Sequence, residues 1–423
     1  MKRLGILLAA VAAVGTPVTA QTRATTTGAP GKTLDIYIAD TEGGKAALFV
    51  SPTGQTVLID SGNPGPRDGD RILAMLADAG VKQIDYVILS HYHVDHIGGI
   101  QELSKRIPIG TYVDHGPSVE TREQVQGFQA GYEAMRGSAK HLVVKPGDRI
   151  PVTGLDWRIV TSAGASLKTP LPGGGRPNPA CATFEKRDEP ANPDENNQSV
   201  GSVIAYGQFR VLDLADLLWN KEAELVCPNN PIGTVDIYMS DNHGSAGAGS
   251  PQLVHGVRPR VAIMQNGTRK GGSVLAFETL ESSPGLEDIW QLHWAYAGGL
   301  EHNSRGVFIA NIDEPTAIAT VVTSPPPPGR GAGGGGQPGG QPAAPAGGQP
   351  PIAQPPAGAP PTGQTAGAPP QPGGGGGGGR GAGGGGGAAA AHTAAYYIKV
   401  SAHSDGTFTV TNTRNQFAKT YRR

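Results

Sequence analysis

Six consecutive residues, His91-Tyr92-His93-Val94-Asp95-His96, carry four side chains able to bind a metal ion. Neutral imidazoles with a carboxylate suit zinc, and also iron or manganese. A loop at a strand end can send alternate side chains into one cleft. On that geometry His91 and His93 face one ion, and Asp95 and His96 face a second. Metal-type residues at such spacing rarely gather by chance. Two adjacent divalent cations activate a water and polarise a scissile carbonyl or phosphoryl oxygen, so the chemistry implied is hydrolysis without a protein nucleophile. The chain has no G-x-S-x-G elbow of the serine-hydrolase kind.

The elements around the segment are those needed to position it. Ile84–Leu89 is a β-rich buried run that leads straight into His91, and a helix is expected over Ile97–Lys105. Upstream, Thr33–Ala39, Ala46–Val50 and Gln55–Ile59 read as strands, the last two joined by a turn at Pro52-Thr53-Gly54. Asp70–Ala79 has helical apolar spacing and stops at Gly80. Downstream come a strand at Gly110–Val113 and a helix at Val119–Met135. Strands follow at Trp157–Thr161, Ser202–Tyr206, Phe209–Leu214, Val235–Ser240 and Val261–Met264, then a helix near Val274–Leu280. Helices interleave with strands joined by short turns, which predicts an α/β (α+β) fold of mixed sheets with helices outside, not a doubly wound parallel sheet.

The His91–Gly99 segment resembles the signature of the metallo-β-lactamase superfamily. More narrowly, the chain is similar to the metallo-hydrolase domain of DNA-uptake competence proteins, from about Thr33 to Asn303 and again in the final hairpin. The resemblance implies an αββα sandwich of two mixed β-sheets flanked by helices, with two divalent metals at one edge. It also assigns residues. Val57–Gly62 matches the strand-end carboxylate motif, so Asp60 is expected to orient a ligand histidine. Phe209–Asp216 matches the strand bearing the bridging carboxylate. Relatives have Gly before this Asp, and here Ala215 precedes Asp216; Asp213 competes, but Asp216 stands at the strand end. Asp241–Ser245 matches the late histidine motif, where relatives of this branch carry two histidines before Gly-Ser. Here the first is Asn242, and with His243 the second metal would hold Asp95, His96, Asp216 and His243. The wider superfamily supplies a further histidine to the first metal. In the competence-type branch an Asn–Ser segment similar to Glu195–Ser199 takes that place, which makes Asn197 a candidate contact to substrate or a metal-bound water, or else a polar loop residue. His115, at a strand end, either approaches the first metal or sits in a surface turn. His293 and His302 are expected to be structural. Arg269 and Lys270, in a Gly-rich loop, either meet an anionic substrate or face solvent. Asp95 and Asp216 are the expected catalytic carboxylates.

The rest of the chain sets the context. Lys2 and Arg3, an apolar run from Leu4 to Gly15, and Val18-Thr19-Ala20 form a secretory signal pattern over residues 1–20. The protein is therefore expected to be exported, periplasmic or extracellular, with no membrane span after cleavage. Cys181 and Cys227 would then meet an oxidising compartment, either as a disulfide or as two buried thiols. The net charge of −1 gives no large uniform field and disfavours a strongly basic nucleic-acid binder, so no stable nucleic-acid complex is expected, although a site that holds cations could attract anionic substrates locally. Residues 21–32 read as a disordered leader and 33–323 as the main domain. Residues 324–391, almost entirely Gly, Pro, Ala and Gln, read as a disordered insertion. Ala317–Val322 is strand-like, and residues 392–423 hold a hairpin, Ala395–Ser401 and Thr407–Asn412 around Asp405-Gly406, expected to complete the domain.

The functional expectation is a secreted metal-dependent hydrolase acting on phosphodiesters or related anionic small molecules. Two alternatives stand beside it. One is β-lactam or lactone hydrolysis on the same scaffold; metal-dependent β-lactamases usually lack the final histidine of the motif, which His96 supplies. The other is a non-catalytic binding protein, suggested by Asn242 and the insertion.

Overall fold

In the computed structural model, which describes residues 32–189, 192–312 and 395–423, period-two alternation organises the molecule. Successive residues of one strand enter different cores. In β1 (Leu34–Ile38), Leu34, Ile36 and Ile38 face a central core while Tyr37 faces an outer one. β2 (Ala47–Val50) and β3 (Thr56–Ile59) divide in the same way, with Phe49, Val57 and Ile59 central and Leu48 and Leu58 outer. β4 (Ile84–Ile88), β5 (Ile109–Asp114) and β6 (Lys140–Val143) complete this side of the sheet.

Among the described residues this first sheet has nine strands. Its order is Ala418–Tyr421, Phe408–Asn412, Ile398–Ala402, then β1 to β6. β1 to β3 pair antiparallel, and β3 to β6 pair parallel. The C-terminal strand Ile398–Ala402 pairs antiparallel with β1, Val400 opposite Ile36. The segment 395–412 does form a hairpin, and a third strand unread in the sequence, Ala418–Tyr421, adds to its edge. The second sheet also has nine strands among the described residues. Its parallel half runs Ile309–Asn311, Asp288–His293, Val261–Met264, Ile237–Met239 and Phe209–Asp213; its antiparallel half continues with Gly201–Tyr206 and Asp156–Ser162.

Both sheets send alternate side chains into the central core, where Phe49 meets Trp157 and Phe209 meets Phe408. Helices cover the outer faces. α1 (Pro66–Asp78), α2 (Val94–Ile97), α3 (Ile100–Ser104) and α4 (Glu123–Arg136) pack on the first sheet through Ile72, Met75, Ile97, Leu103 and Tyr132. α5 (Trp219–Val226), α6 (Pro251–Val257) and α7 (Val274–Glu281) pack on the second through Leu225, Leu253 and Phe277. The architecture is an αββα sandwich of two mixed sheets.

Three details differ from the sequence reading. The helix expected over Ile97–Lys105 is two short helices broken at Gly98 and Gly99. A Cβ on Gly99 would lie 2.1 Å from the Ser61 carbonyl oxygen, so the glycines let this turn pack directly on the loop after β3. The α4 helix starts at Glu123, not Val119, because Val119 and Glu120 turn inward to contact Glu195 and His93. Helices α5 and α6 and the strand Asp288–His293 were not legible. Cys181 and Cys227 form a disulfide. Residues 1–31, the strand-like segment Ala317–Val322 and the 324–391 insertion lie outside the described residues.

Candidate metal centre

The centre lies where strands of both sheets end. β4 delivers His91, and α2 begins immediately afterwards, with His93 at its N-cap and Asp95 and His96 in its single turn. From the second sheet, the strand Phe209–Asp213 runs out into Asp216, and Ile237–Met239 runs out into His243. Four non-glycine residues here hold left-handed backbone: Asp60 (φ 61°), Ala215 (φ 55°), Asn242 (φ 44°) and His243 (φ 57°). Such strain gathers where side chains must be aimed.

Asp95, His96, Asp216 and His243 are all buried, with one ligand atom from each gathered together. His96 Nε2 lies 3.2 Å from Asp95 Oδ2, 3.3 Å from Asp216 Oδ2 and 3.4 Å from His243 Nε2. His243 Nε2 lies 3.1 Å from Asp95 Oδ2 and 3.2 Å from Asp216 Oδ2. A tetrahedral ion with bonds of about 2.0–2.1 Å sets ligand edges of roughly 3.3–3.4 Å, so the spacing fits. Proton placement fits as well. His96 Nδ1 donates to Asp60 Oδ2 at 2.8 Å, and His243 Nδ1 donates to the Gln265 carbonyl at 3.2 Å. Both partners only accept, so each neutral ring turns an Nε2 lone pair inward to face two carboxylates. Four acceptors converge here, met by a donor only at Asp95 Oδ2, which Lys270 approaches from the mouth, and such a set makes a cation site.

Titration directions show that the pocket favours positive charge, which a proton on His96 or a bound cation would supply. Burial alone would raise Asp95 and Asp216, but the facing imidazoles of His96 and His243 reverse the sign and hold both well below the usual carboxylate range. Burial alone would lower His96; Asp216, Asp95 and Asp60 together hold it well above its ordinary value. His91 is pushed well down by burial, then by His96 and His93, and so is held as the neutral, ligating form.

His91 and His93 form a second pair, His91 Nε2 lying 3.1 Å from His93 Nδ1. Asp216 Oδ1 is buried with no hydrogen-bond partner among the described residues, as suits a carboxylate that bridges two ions. His93 Nε2 points away, to Glu120 Oε1 at 2.9 Å. Glu120 and Asp194 lie close enough to His93 to suggest another ion there. Arg122 Nη2, however, is 2.8 Å from the same Nε2, and a fixed guanidinium charge opposes a cation at that point. Glu120 therefore orients His93 from behind.

The candidates read from the sequence are placed as follows, with the Arg269 guanidinium lying over the Tyr296 ring. Asp60 also accepts from Ser90 N at 2.8 Å and Ser90 Oγ at 2.7 Å. Asp213 is not in the cluster; it pairs with buried Lys45 at 2.6 Å. Asn242 is the apex of the turn that aims His243. His115 is not directed at the centre: its Nε2 meets Glu195 Oε2 at 3.0 Å. Among the other histidines, His141 pairs with Asp114, His255 with the Thr279 carbonyl, His293 with Asp40 and His302 with Glu278. Asn197 lies on a turn beside the His91 segment, tied to it by Val200 N donating to the Ser90 carbonyl at 2.9 Å. Its Oδ1 is buried and has no partner among the described residues. Lys270, which the sequence left between substrate and solvent, pairs with Asp95 Oδ2. Glu120, Arg122 and Ser90 were missed altogether; only Ser90, next to the motif, had a signal to find.

This fold and this set of acceptors define a metal-binding α/β protein. Residues 40–236 match the family model of the metallo-β-lactamase superfamily. It is 22% identical over 121 residues to a hydroxyacylglutathione hydrolase of Idiomarina loihiensis, a match covering 29% of this chain and 38% of that one. It is 28% identical over 114 residues to a hydroxyacylglutathione hydrolase of Klebsiella pneumoniae, covering 27% of this chain and 36% of that one. It is 31% identical over 112 residues to a ribonuclease Z of Methanopyrus kandleri, covering 25% of this chain and 35% of that one. The matches thus span well under half of these relatives. No helix among the described residues is long and apolar enough to cross a membrane.

Proposed function

We propose that this chain is an exported hydrolase that holds two divalent cations, zinc foremost, and acts on phosphodiesters or related anionic substrates. The observation that carries the reading is the convergence of two inward imidazole lone pairs and two ionised carboxylates at tetrahedral spacing, beside the His91–His93 pair. When bound, such cations supply Lewis acidity, which lowers the pKa of water and polarises the scissile oxygen. The protein's own part is positioning. Asp95, His96, Asp216 and His243 would hold one ion, and His91 and His93 would face the other. Asp60 and Glu120 fix the rings from behind. Asp95 and Asp216 stay ionised at neutral pH and so keep the negative charge that would hold a cation.

The likeness to a ribonuclease supports a phosphodiester. The Glu195–Ser199 turn, in place of a further histidine, supports the narrower similarity to the competence-type branch. Export is supported by the signal pattern of residues 1–20 and by the Cys181–Cys227 disulfide, a bond favoured in oxidising compartments. The test is metal content by mass spectrometry together with turnover of bis(p-nitrophenyl) phosphate and of a chromogenic β-lactam. Expected are bound divalent metal and phosphodiester hydrolysis, both reduced by His91→Ala and His96→Ala. Less than one equivalent of metal, with activity indifferent to both substitutions, refutes the enzyme reading; turnover of the β-lactam alone refutes the substrate class.

A further inference from the structure

The loop Asn266–Gly272 brings a cation to the mouth of the centre. Gly272 N donates to the His243 carbonyl at 3.1 Å, and Gly267 N donates to the Lys270 carbonyl at 2.9 Å, so the loop is tied to a ligand residue and to itself. Asn266 Nδ2 donates to the His293 carbonyl at 2.8 Å. On the other side, a Cβ on Gly43 would lie 2.8 Å from Lys270 Cβ; only glycine there lets the lysine stem lie flat. From this fixed stem the Lys270 ammonium reaches Asp95 Oδ2, although the side chain is 46% exposed. Asp95 Oδ2 is the same oxygen that faces His96 and His243 in the cation cluster.

One carboxylate oxygen cannot hold a dication and a close ammonium equally, because the two positive charges would repel within the same small space. Charge balance points the same way. Asp95 and Asp216 together neutralise only one of the two dications proposed above, so Lys270 adds to a surplus of positive charge at an open mouth. We propose that Lys270 is an exchange arm: it pairs with Asp95 until a divalent cation takes that oxygen, and then turns to an anionic oxygen of the substrate. This rests on the metal-dependent reading above, and it assigns the substrate an anionic oxygen, phosphoryl or carboxylate, close to the scissile bond.

Lys270→Met keeps the stem and removes the charge, while Lys270→Arg keeps the charge. Each folded protein is first titrated with zinc against a chelator. The zinc-loaded proteins are then titrated calorimetrically with inorganic phosphate and, separately, with acetate. Lys270→Met is expected to bind zinc at least as tightly as wild type, yet to bind anion about tenfold or more weakly; Lys270→Arg restores most of the anion affinity. Weakening of phosphate assigns a phosphoryl group, and weakening of acetate alone assigns a carboxylate. A merely structural lysine would weaken zinc binding as well, and that result overturns the proposal. So does anion binding unchanged in Lys270→Met. Wild-type protein that takes up no zinc overturns the metal reading itself, and this exchange with it.

Discussion

Replacing Asp60 with Asn should weaken metal binding without disturbing the fold. Asp60 Oδ2 accepts two hydrogen bonds, from His96 Nδ1 at 2.8 Å and Ser90 Oγ at 2.7 Å, while Oδ1 accepts from Ser90 N at 2.8 Å. An asparagine keeps one acceptor and turns its other end into a donor. If the amide nitrogen faces His96, donor meets donor. His96 then moves its proton to Nε2, and the lone pair that faced Asp95, Asp216 and His243 is lost. If it faces Ser90 N instead, a buried backbone donor is left unpaired, at about 1–3 kcal/mol. Backbone strain does not confound the comparison, because Asn tolerates the left-handed φ of 61° at this position. Loss of a carboxylate behind a ligand histidine typically lowers metal affinity about 10–100-fold, or roughly 1.4–2.7 kcal/mol. Zinc titration against a chelator of matched affinity, with circular dichroism to check the fold, measures it, and His96→Ala sets the scale for a lost ligand. An Asp60→Asn protein that binds zinc as wild type does, while His96→Ala does not, would show that the tautomer argument is wrong.

Lys45→Met should cost about 3–5 kcal/mol of stability, because it leaves Asp213 buried and uncompensated; adding Asp213→Leu should recover much of this in urea unfolding. Glu120 is buried, which alone would raise its pKa. Hydrogen bonds from Arg122, the Glu195 backbone and His93 outweigh that and bring it to about 2, below its ordinary 4.5. Its stabilising share is therefore complete above pH 4.5 and lost as pH falls through 2, so the gap in melting temperature between wild type and Glu120→Gln should narrow from pH 5 to pH 2.5; a constant gap would refute the assignment. Deleting residues 324–391 should leave zinc uptake intact and should not lower the melting temperature. The flanking described residues already meet: Asn311 Nδ2 donates to the Tyr396 carbonyl at 2.9 Å, and Tyr396 N donates to Asn311 Oδ1 at 3.0 Å. Shortening the connection from about 80 to about 14 residues even favours the folded state by roughly 1.5 kcal/mol, and a large fall in melting temperature would contradict this.

What the sequence by itself determined is what depends on neighbours along the chain. His91, His93, Asp95 and His96 are contiguous, so one strand end and one helical turn suffice to place them. The strands were legible because alternate residues serve two different cores, and the long amphipathic helix α1 because its apolar positions recur on one face. Short helices such as α5 and α6 carry too few turns for such a pattern to stand out. The tertiary structure decided what crosses between the sheets. Asp216 rather than Asp213 enters the cluster, because Lys45, 168 residues away in sequence, takes Asp213. His243 enters because the left-handed turn at Asn242 aims it inward. Glu120 behind His93 and Lys270 on Asp95 became visible only once the folded chain set them side by side, since nothing in their local sequence records which distant carboxylate or imidazole they will meet.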